Sequence, residues 1–232
     1  MVPPTPVSAQ LQRRVRSGGG EPLLTHYGAD GARTELSVAS FANWVDKTAN
    51  LLDDLGLDED ADIALPVLEE VPTHWMALVW PFACWRAGVG VRVCPRAEAD
   101  GAELVVIGPV APMPVGEVTL ACSLDPWGRP LGDLPPGVSD YAGEALAQPD
   151  VFAGGGEGSE MAWTDTGGVR THSDVAALAP LAERVCASPG EAWEAVSLLA
   201  RVVLGGGSLV VVADPTADAA RVAGSERARL LP

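Results

Sequence analysis

The chain has 232 residues, of which 47% are hydrophobic, and it carries a formal net charge of −16. A chain of this length and composition can bury a full core, which excludes disorder of the whole and favours one domain, with two lobes as the alternative. The acidic charge would repel nucleic acid, anionic lipid and free ATP, so it argues against nucleic-acid and membrane partners.

Cysteine usage and targeting signals indicate the compartment. The four cysteines, Cys84, Cys94, Cys122 and Cys186, show no CxxC spacing, so the sequence predicts buried, reduced thiols and no metal site. The arginines near the N-terminus precede no apolar segment, which argues against a secretory signal. The longest apolar run is too short to cross a bilayer. We therefore expect a cytoplasmic protein.

The N-terminal quarter of the chain contains an arm and the first long helix. Residues 1–20 show no sustained hydrophobic period and are predicted to be an arm, with residues 21–232 as the domain. Apolar residues then recur at three- and four-residue steps from Leu36, which predicts a helix. Ser37 is suited to cap its start, and Gly56 is suited to a left-handed C-terminal end.

A short strand and a second helix follow. Asp62–Leu68 is predicted to be a short buried strand, and about Pro72–Ala87 an amphipathic helix with one wide apolar face. Thr73 or a neighbour could cap this helix, and Gly88 would end it. Pro81 should bend it, because proline removes one N–H donor.

The middle of the chain alternates short aliphatic runs with loops. Strands are predicted at Val89–Val93, Leu104–Ile107 and Val118–Ala121. Much of residues 109–137 is proline-rich loop, a weak helix is predicted at Ser139–Ala147, and two lobes would join near residues 109–158. Helices between strands indicate an α/β fold, with a layered, mostly parallel sheet and helices on both faces.

The last third begins with a flexible glycine-rich connection at Gly154–Gly158. After a strand and turn that begin at Met161, a helix capped by Ser173 is predicted to run to about Cys186. Ser188, Pro189 and Glu191 are predicted to start another helix that ends at Leu204, because they supply a cap, a first-turn proline and a capping-box partner. A strand at Leu209–Val212 and a short helix in residues 214–232 complete the chain.

The segment Met161–Asp174 is the strongest candidate for a functional site. Its strand, Thr/Gly-rich turn and helix start are typical of anion sites, where backbone N–H groups and a helix N-terminus meet a phosphate. The candidate binding residues are Thr164, Thr166, Gly167, Gly168 and Arg170. No lysine follows the glycines, and the only lysine of the chain is Lys47. The alternative is a purely structural role, in which the segment is a tight turn that binds no ligand.

Taken in order, five segments resemble the front part of the adenylate-forming superfamily, the acyl-CoA synthetases and peptide synthetase adenylation domains. Thr164–Gly168, with Arg170 and a Thr-His pair, is similar to the phosphate loop TSGTTGxPKG. The other segments are Leu36–Phe41, similar to LTYxEL; Asp62–Leu65, similar to GDxVAL; Trp75–Val91, similar to the helix ending in LKAGA; and Leu198–Val212, similar to the helix, glycine step and VVL strand. The resemblance covers roughly residues 21–215.

The resemblance implies an eroded site. The loop lysine is absent, and no later segment resembles the YGxTE motif, the Gly-Asp ribose contact or the C-terminal domain with its adenylation lysine. One lost charge-assisted hydrogen bond would weaken phosphate binding by about one to two decades. Arg170 could replace the charge, but as a planar fork rather than a compact ammonium. We therefore expect a truncated, degenerate member that catalyses no reaction and holds no cofactor.

Two function hypotheses remain from the sequence. The first is a non-catalytic module that binds another protein, or a second copy of itself, through an apolar surface containing the helical tryptophans Trp75, Trp80 and Trp85, although core packing is their ordinary role. The second is weak ATP or AMP binding, or adenylyl transfer completed by a partner chain. His172, Ser173 and Asp174 suggest helix capping rather than a hydrolase site, since no GxSxG elbow exists, and the three histidines are too dispersed to suggest a metal site.

Overall fold

The computed structural model describes residues 6–154, 158–214 and 216–232. These residues form eight α-helices and twelve β-strands. The helices are α1 (Val7–Gly18), α2 (Val38–Asp54), α3 (Pro66–Glu70), α4 (Trp75–Ala87), α5 (Tyr141–Leu146), α6 (His172–Ala176), α7 (Ala192–Gly205) and α8 (Ala219–Ser225). The strands are β1 (Pro22–Tyr27), β2 (Arg33–Ser37), β3 (Ile63–Ala64), β4 (Val91–Arg92), β5 (Leu104–Ile107), β6 (Val118–Ala121), β7 (Ser139–Asp140), β8 (Met161–Asp165), β9 (Gly168–Thr171), β10 (Arg184–Ala187), β11 (Ser208–Val212) and β12 (Arg229–Leu230).

The strands are divided between two sheets, where the sequence predicted one. The first has the order β12-β10-β11-β1-β2, and the second has the order β7-β6-β5-β3-β4-β8-β9. All neighbours pair in parallel except the hairpins β1–β2 and β8–β9. Leu24 of the first sheet and Val106 of the second belong to one hydrophobic cluster. The predicted α/β class, with mostly parallel strands flanked by helices, is confirmed.

Residues 7–18, which were predicted as part of an arm, form α1 and pack on α2 and α7. Val7, Leu11 and Arg14 are its buried residues, so an arginine stands where the apolar period needs a hydrophobic side chain. The buried guanidinium of Arg14 donates to the backbone oxygens of Val202 and Gly207 at 2.9 and 3.0 Å. It thereby ties α1 to the C-terminal end of α7 and to the segment just beyond it, where the Val202 carbonyl also accepts the Gly206 N–H.

The first two predicted helices are confirmed with changed details. Ser37 caps α2 by accepting the Ser40 N–H, and Gly56 beyond its end has a φ of 73°. α4 is buried on all sides from Trp75 to Trp85, so the prediction of a single apolar face was wrong. His74, rather than Thr73, caps α4.

Two other predictions were partly wrong because of proline. In the predicted strand Asp62–Leu68, only Ile63 and Ala64 are extended, and Pro66 starts α3 because its fixed φ suits the first helical turn. The helix predicted from Ser173 to Cys186 ends at Ala176, and the chain turns into β10 instead. Pro180 explains this, since proline cannot continue a helix.

Several boundaries after residue 100 agree with those predicted from the sequence. β5 and β6 match the predicted strands, and α5 lies inside the predicted Ser139–Ala147 helix. α7 begins at Ala192, later than predicted, with Glu191 as its N-cap, and Gly206 ends it at a φ of 84°. Part of the predicted flexible connection, residues 155–157, lies outside the described residues.

Candidate functional site

The predicted phosphate segment is a β-hairpin. β8 and β9 pair in antiparallel fashion, with Asp165 opposite Gly168, so Thr166 and Gly167 form the turn. We call residues 164–170 the Thr166 turn. The prediction that a helix follows the glycines directly was wrong, because β9 intervenes. Helix α6 has five residues and is capped by Thr171 rather than Ser173.

Asp165 accepts the strong donors of this turn. Its Oδ1 atom accepts the Gly167 N–H at 2.8 Å and Nη1 of Arg170 at 3.1 Å. Its Oδ2 atom accepts the indole N–H of Trp163 at 2.7 Å. Burial would raise the pKa of Asp165, but the bonds from Trp163 and Arg170 outweigh it and hold the pKa below its ordinary value. The carboxylate is therefore ionised at neutral pH and occupies these donors itself.

Arg170 is held in place from two sides. Its guanidinium carbon lies 4.3 Å from the ring centroid of Trp193, in addition to the ion pair with Asp165. Trp193 in turn packs on Trp163, with ring centroids 5.2 Å apart. Stacking and a carboxylate partner both favour the present orientation of the cation. Arg170 therefore stabilises the hairpin that carries it.

Three of the five predicted binding residues meet at one cavity. Thr166, Gly167 and Arg170 line a cavity of about 410 Å³ together with Glu69, Glu191 and the aspartate described above. Thr164 lies in β8, where its backbone oxygen accepts the Val93 N–H, and it is not among the lining residues; neither is Gly168, which has a φ of 125°.

The charges around this cavity disfavour an anion. Glu69, Asp165 and Glu191 contribute three carboxylates, against the one guanidinium of Arg170. The N–H of Gly190, which precedes α7 at the cavity, is taken by the Glu194 carboxylate at 3.0 Å. Like charges at close range repel, so a phosphate entering here would meet net negative charge. The Gly190 N–H is therefore already paired with an acid.

The residues after the turn form a cap. Thr171 accepts the Asp174 N–H, and the Asp174 carboxylate accepts the Thr171 N–H and hydroxyl, both at 2.8 Å. The capping role of Asp174 is thus confirmed, while Ser173 lies within the helix. His172 lies edge-on to Trp85, with centroids 6.4 Å apart, and burial lowers its pKa.

The single lysine and the helical tryptophans have structural roles. Lys47 donates to the Gln148 carbonyl at 2.5 Å and pairs with Asp150 at 2.8 Å, which ties α2 to the segment after α5. Trp75, Trp80 and Trp85 are buried, so the hypothesis that they form an exposed patch was wrong and core packing is confirmed.

A second cavity escaped the sequence analysis. His26 of β1 and His74 before α4 lie with ring centroids 4.8 Å apart, although they are distant in sequence. They line a space of about 350 Å³, with Thr34, Val71, Leu124 and Pro126 among its other walls. We call this space the histidine cavity. No sequence signal marks it, because both residues occupy ordinary strand-end and helix-cap positions.

Both histidines of this cavity are uncharged at neutral pH. Burial lowers the pKa of His26 to about 4 and that of His74 to about 3. Nδ1 of His74 accepts the Met76 N–H at 3.2 Å. Nε2 of His26 is buried and has no hydrogen-bond partner among the described residues.

The described residues form neither a metal cluster nor a bilayer span. They contain no group of three or more His, Cys, Asp or Glu side chains placed to hold a metal ion. All four cysteines are free and buried, as predicted. None of the described helices combines the length and the apolar composition that a bilayer span requires.

Comparison with known proteins confirms the resemblance in fold. No family model matches the chain. A TIGR03089 family protein of Mycobacterium tuberculosis is 36% identical over 154 residues, which are 61% of this chain and 60% of that protein. The chain thus spans about three-fifths of this curated relative.

Two solved structures give the architecture. An acyl-CoA synthetase of Brucella canis superposes with a TM-score of 0.74 at 15% identity, over 98% of this chain and 47% of the synthetase. The N-terminal domain of FACL13 from Mycobacterium tuberculosis superposes with a TM-score of 0.67 at 16% identity, over 97% of this chain and 61% of that one. The chain therefore has the fold of the N-terminal part of adenylate-forming acyl-CoA synthetases.

Proposed function

We propose that this chain is a non-catalytic binding or protein-interaction module built on the synthetase fold. The observation that carries the proposal is the Asp165 carboxylate, which accepts the Gly167 N–H and pairs with Arg170. A phosphate would need those same two donors. To bind there it would have to displace an ionised carboxylate of the same hairpin, and that exchange gains little free energy.

The electrostatic requirements of adenylyl transfer also argue against catalysis at this turn. Adenylyl transfer requires several cationic or N–H donors that converge on one phosphate. At the Thr166 turn, Arg170 is the one cation among the residues that line the cavity, and Lys47 is engaged elsewhere. The turn therefore has a structural role. The function of the module is then to bind another protein through its surface.

A single exposed indole is the best candidate for the interaction surface. Trp127 is 75% exposed, whereas the neighbouring backbone is anchored, because the Thr34 hydroxyl donates to the Pro126 carbonyl at 3.1 Å. Exposed aromatic side chains on anchored loops are enriched where proteins bind one another. The four free, buried thiols fit a reducing compartment, so we assign the module to the cytoplasm.

Calorimetric titration with Mg·ATP tests the claim about the turn. The wild type should give no saturable heat, whereas Asp165→Ala should gain weak binding because it removes the acceptor and releases Arg170 and the Gly167 N–H. Arg170→Ala added to Asp165→Ala should remove that gain. Micromolar binding by the wild type that is lost in Thr166→Ala and Gly168→Val would overturn the proposal.

Light scattering over a range of protein concentrations tests the interaction surface. Concentration-dependent self-association that Trp127→Ser weakens would support this exposed indole as a contact. A strict monomer at every concentration would exclude self-association through Trp127. Glu183→Gln serves as a matched surface control, since its partner Arg229 is also exposed.

A second candidate function is weak ATP or AMP binding, or adenylyl transfer completed by another chain, at Thr164, Thr166, Gly167, Gly168 and Arg170. The cavity of about 410 Å³ beside the turn favours it, because its volume is sufficient for a small ligand. A partner that supplied lysines could offset the local carboxylates. Pyrophosphate exchange with carboxylic acids would reveal such activity.

A further inference from the structure

One face of the first sheet packs on a small hydrophobic cluster that is separate from the main core. Cys186 of β10 and Val210 and Val212 of β11 lie on this face, where they pack with Val222 and Ala223 of α8. The alternate residues of the same two strands belong to the main hydrophobic cluster, because successive side chains of a strand point to opposite faces. The C-terminal part of the chain therefore covers a sheet face of its own.

Apolar packing holds this C-terminal part only weakly. We call residues 218–231 the C-terminal latch; they contain α8 and β12. Val222 and Ala223 are the buried residues of α8, and β12 pairs with β10 over two residues that are both exposed. Segments that bury little apolar surface are typical of the parts of a protein that open locally, without global unfolding.

A carboxylate attaches the latch to the sheet. Oε1 of Glu226 accepts the Tyr27 hydroxyl at 2.5 Å and Nε of Arg33 at 2.8 Å. Oε2 of Glu226 accepts Nη2 of Arg184 at 2.6 Å. The bond from Arg33, followed by the other two, lowers the pKa of Glu226 to about 2, although burial opposes this. The three donors belong to β1, β2 and β10, so one carboxylate fastens the latch to three strands.

Departure of the latch would uncover a thiol and a sheet edge. Cys186 is fully buried, and its Sγ atom lies 3.9 Å from the Ala219 carbonyl oxygen. The carbonyl of Cys186 accepts the Leu231 N–H at 2.8 Å. Without β12, β10 would be the edge strand of the first sheet and would present unpaired N–H and C=O groups. Opening of the latch is therefore detectable at Cys186.

We propose that the C-terminal latch opens and closes as a unit while the rest of the domain stays folded, and that the Glu226 carboxylate controls how often it opens. In the closed state Glu226 fastens the latch and β12 covers the edge of β10. In the open state that edge is free and Cys186 meets solvent. The latch belongs to the first sheet and the Thr166 turn to the second, so this proposal stands whether or not the proposed function is correct.

Alkylation of the native chain with N-ethylmaleimide tests the proposal, with the rate at each cysteine followed by mass spectrometry. Cys84 and Cys122 belong to the main hydrophobic cluster, whereas Cys186 lies under the latch. In the wild type, Cys186 should react at least about tenfold faster than the other two thiols, because local opening needs less free energy than global unfolding.

Urea separates local opening from global unfolding. The dependence of an opening equilibrium on urea scales with the surface that the opening exposes. The rate at Cys186 should therefore rise only weakly with urea, whereas the rates at Cys84 and Cys122 should rise steeply. Equal rates and an equal urea dependence at the three thiols of the wild type would overturn the proposal.

Glu226→Ala tests the fastening, because it removes the carboxylate and keeps the backbone oxygen that accepts Nε of Arg184. It should raise the rate at Cys186 by about ten- to hundredfold, with a urea dependence that remains shallow. Glu183→Ala is the matched control, since its partner Arg229 also belongs to the latch, but the two side chains are 62% and 49% exposed. It should change the rate at Cys186 by less than about twofold.

A rate at Cys186 that is unchanged in Glu226→Ala, or raised equally in Glu183→Ala, would overturn the control by Glu226. Should Glu226→Ala fail to fold, Arg33→Ala takes its place, because it removes the donor from β2 and keeps the carboxylate. Arg33→Ala should then raise the rate at Cys186 by about tenfold, and an unchanged rate would contradict the proposal.

Discussion

At the Thr166 turn, the strong donors meet an ionised carboxylate of the same hairpin, whereas at the histidine cavity burial keeps His26 and His74 uncharged. The turn carries the sequence motif, and the cavity carries none. Hydrogen bonds made within a segment stabilise that segment and remove its donors from ligand binding. The contrast teaches that local partners and burial, rather than residue types alone, decide which polar groups carry charge and which donors are free.

The largest expected effect concerns the support of the turn. Trp163 is fully buried, donates to Asp165 and packs on Trp193. Trp163→Ala should lower the free energy of unfolding by about 3–5 kcal/mol, since it creates a cavity and removes a bond from the carboxylate. Urea denaturation measures this change. Trp127→Ala is the matched control and should stay within about 0.5 kcal/mol, because its side chain is exposed.

If Trp163→Ala lost less than about 1 kcal/mol, the turn would not depend on its aromatic support. The contrast between the Thr166 turn and the histidine cavity would then no longer hold for the turn. Its donors would have to be held by Asp165 alone.

The second prediction separates the two regions by pH. The pKa of His26 is lowered from 6.5 to about 4, so the unfolded chain takes up protons that the folded chain resists as pH falls through this window. The free energy of unfolding should be highest above the pKa that His26 has in the unfolded chain. Between about pH 7 and about pH 5 it should fall by roughly 2 kcal/mol through His26 alone. Asp165, whose pKa is lowered, stays ionised there and contributes no such loss.

Urea midpoints at several pH values check this difference. The decline in the urea midpoint as pH falls should be shallower in His26→Phe than in the wild type. In Asp165→Asn it should equal that of the wild type. An equal decline in wild type and His26→Phe would show that the cavity does not hold His26 in its neutral form.

The smallest expected effect is that of Asp165→Asn at neutral pH. The side chains of Asp165 and Arg170 are 17% and 24% exposed, so their pair is partly shielded from water. We expect a loss of about 1–2 kcal/mol. Glu183→Gln, whose pair with Arg229 is largely exposed, should cost less than about 0.5 kcal/mol. A loss in Asp165→Asn no larger than in this control would mean that the carboxylate is not held by the turn.

Elements with strong local signals could be predicted from the sequence. The aliphatic runs of β5 and β6 and the Ser37 cap of α2 are such signals, because short-range chemistry determines them. α1 escaped detection because Arg14 occupies a buried position that normally takes an apolar residue. β10 is not evident from the sequence because its extended form depends on pairing with β11, a contact made by residues distant along the chain.

The candidate site was predictable in position and not in chemistry. Thr166, Gly167 and Arg170 do meet at a cavity. The sequence places Asp165 beside them but cannot show that its carboxylate turns back onto Gly167 and Arg170, which requires the two-residue hairpin. The approach of His26 to His74 depends on long-range packing of β1 against the start of α4, which no local pattern encodes.

The account rests on the claim that Asp165 occupies the donors of the Thr166 turn. Amide NMR spectra recorded while Mg·ATP is added test this claim most directly, because Gly167 reports on its own N–H. We predict that the Gly167 resonance stays unshifted to millimolar ATP in the wild type and shifts in Asp165→Ala, which lacks the acceptor. A saturable shift of Gly167 in the wild type would contradict the account.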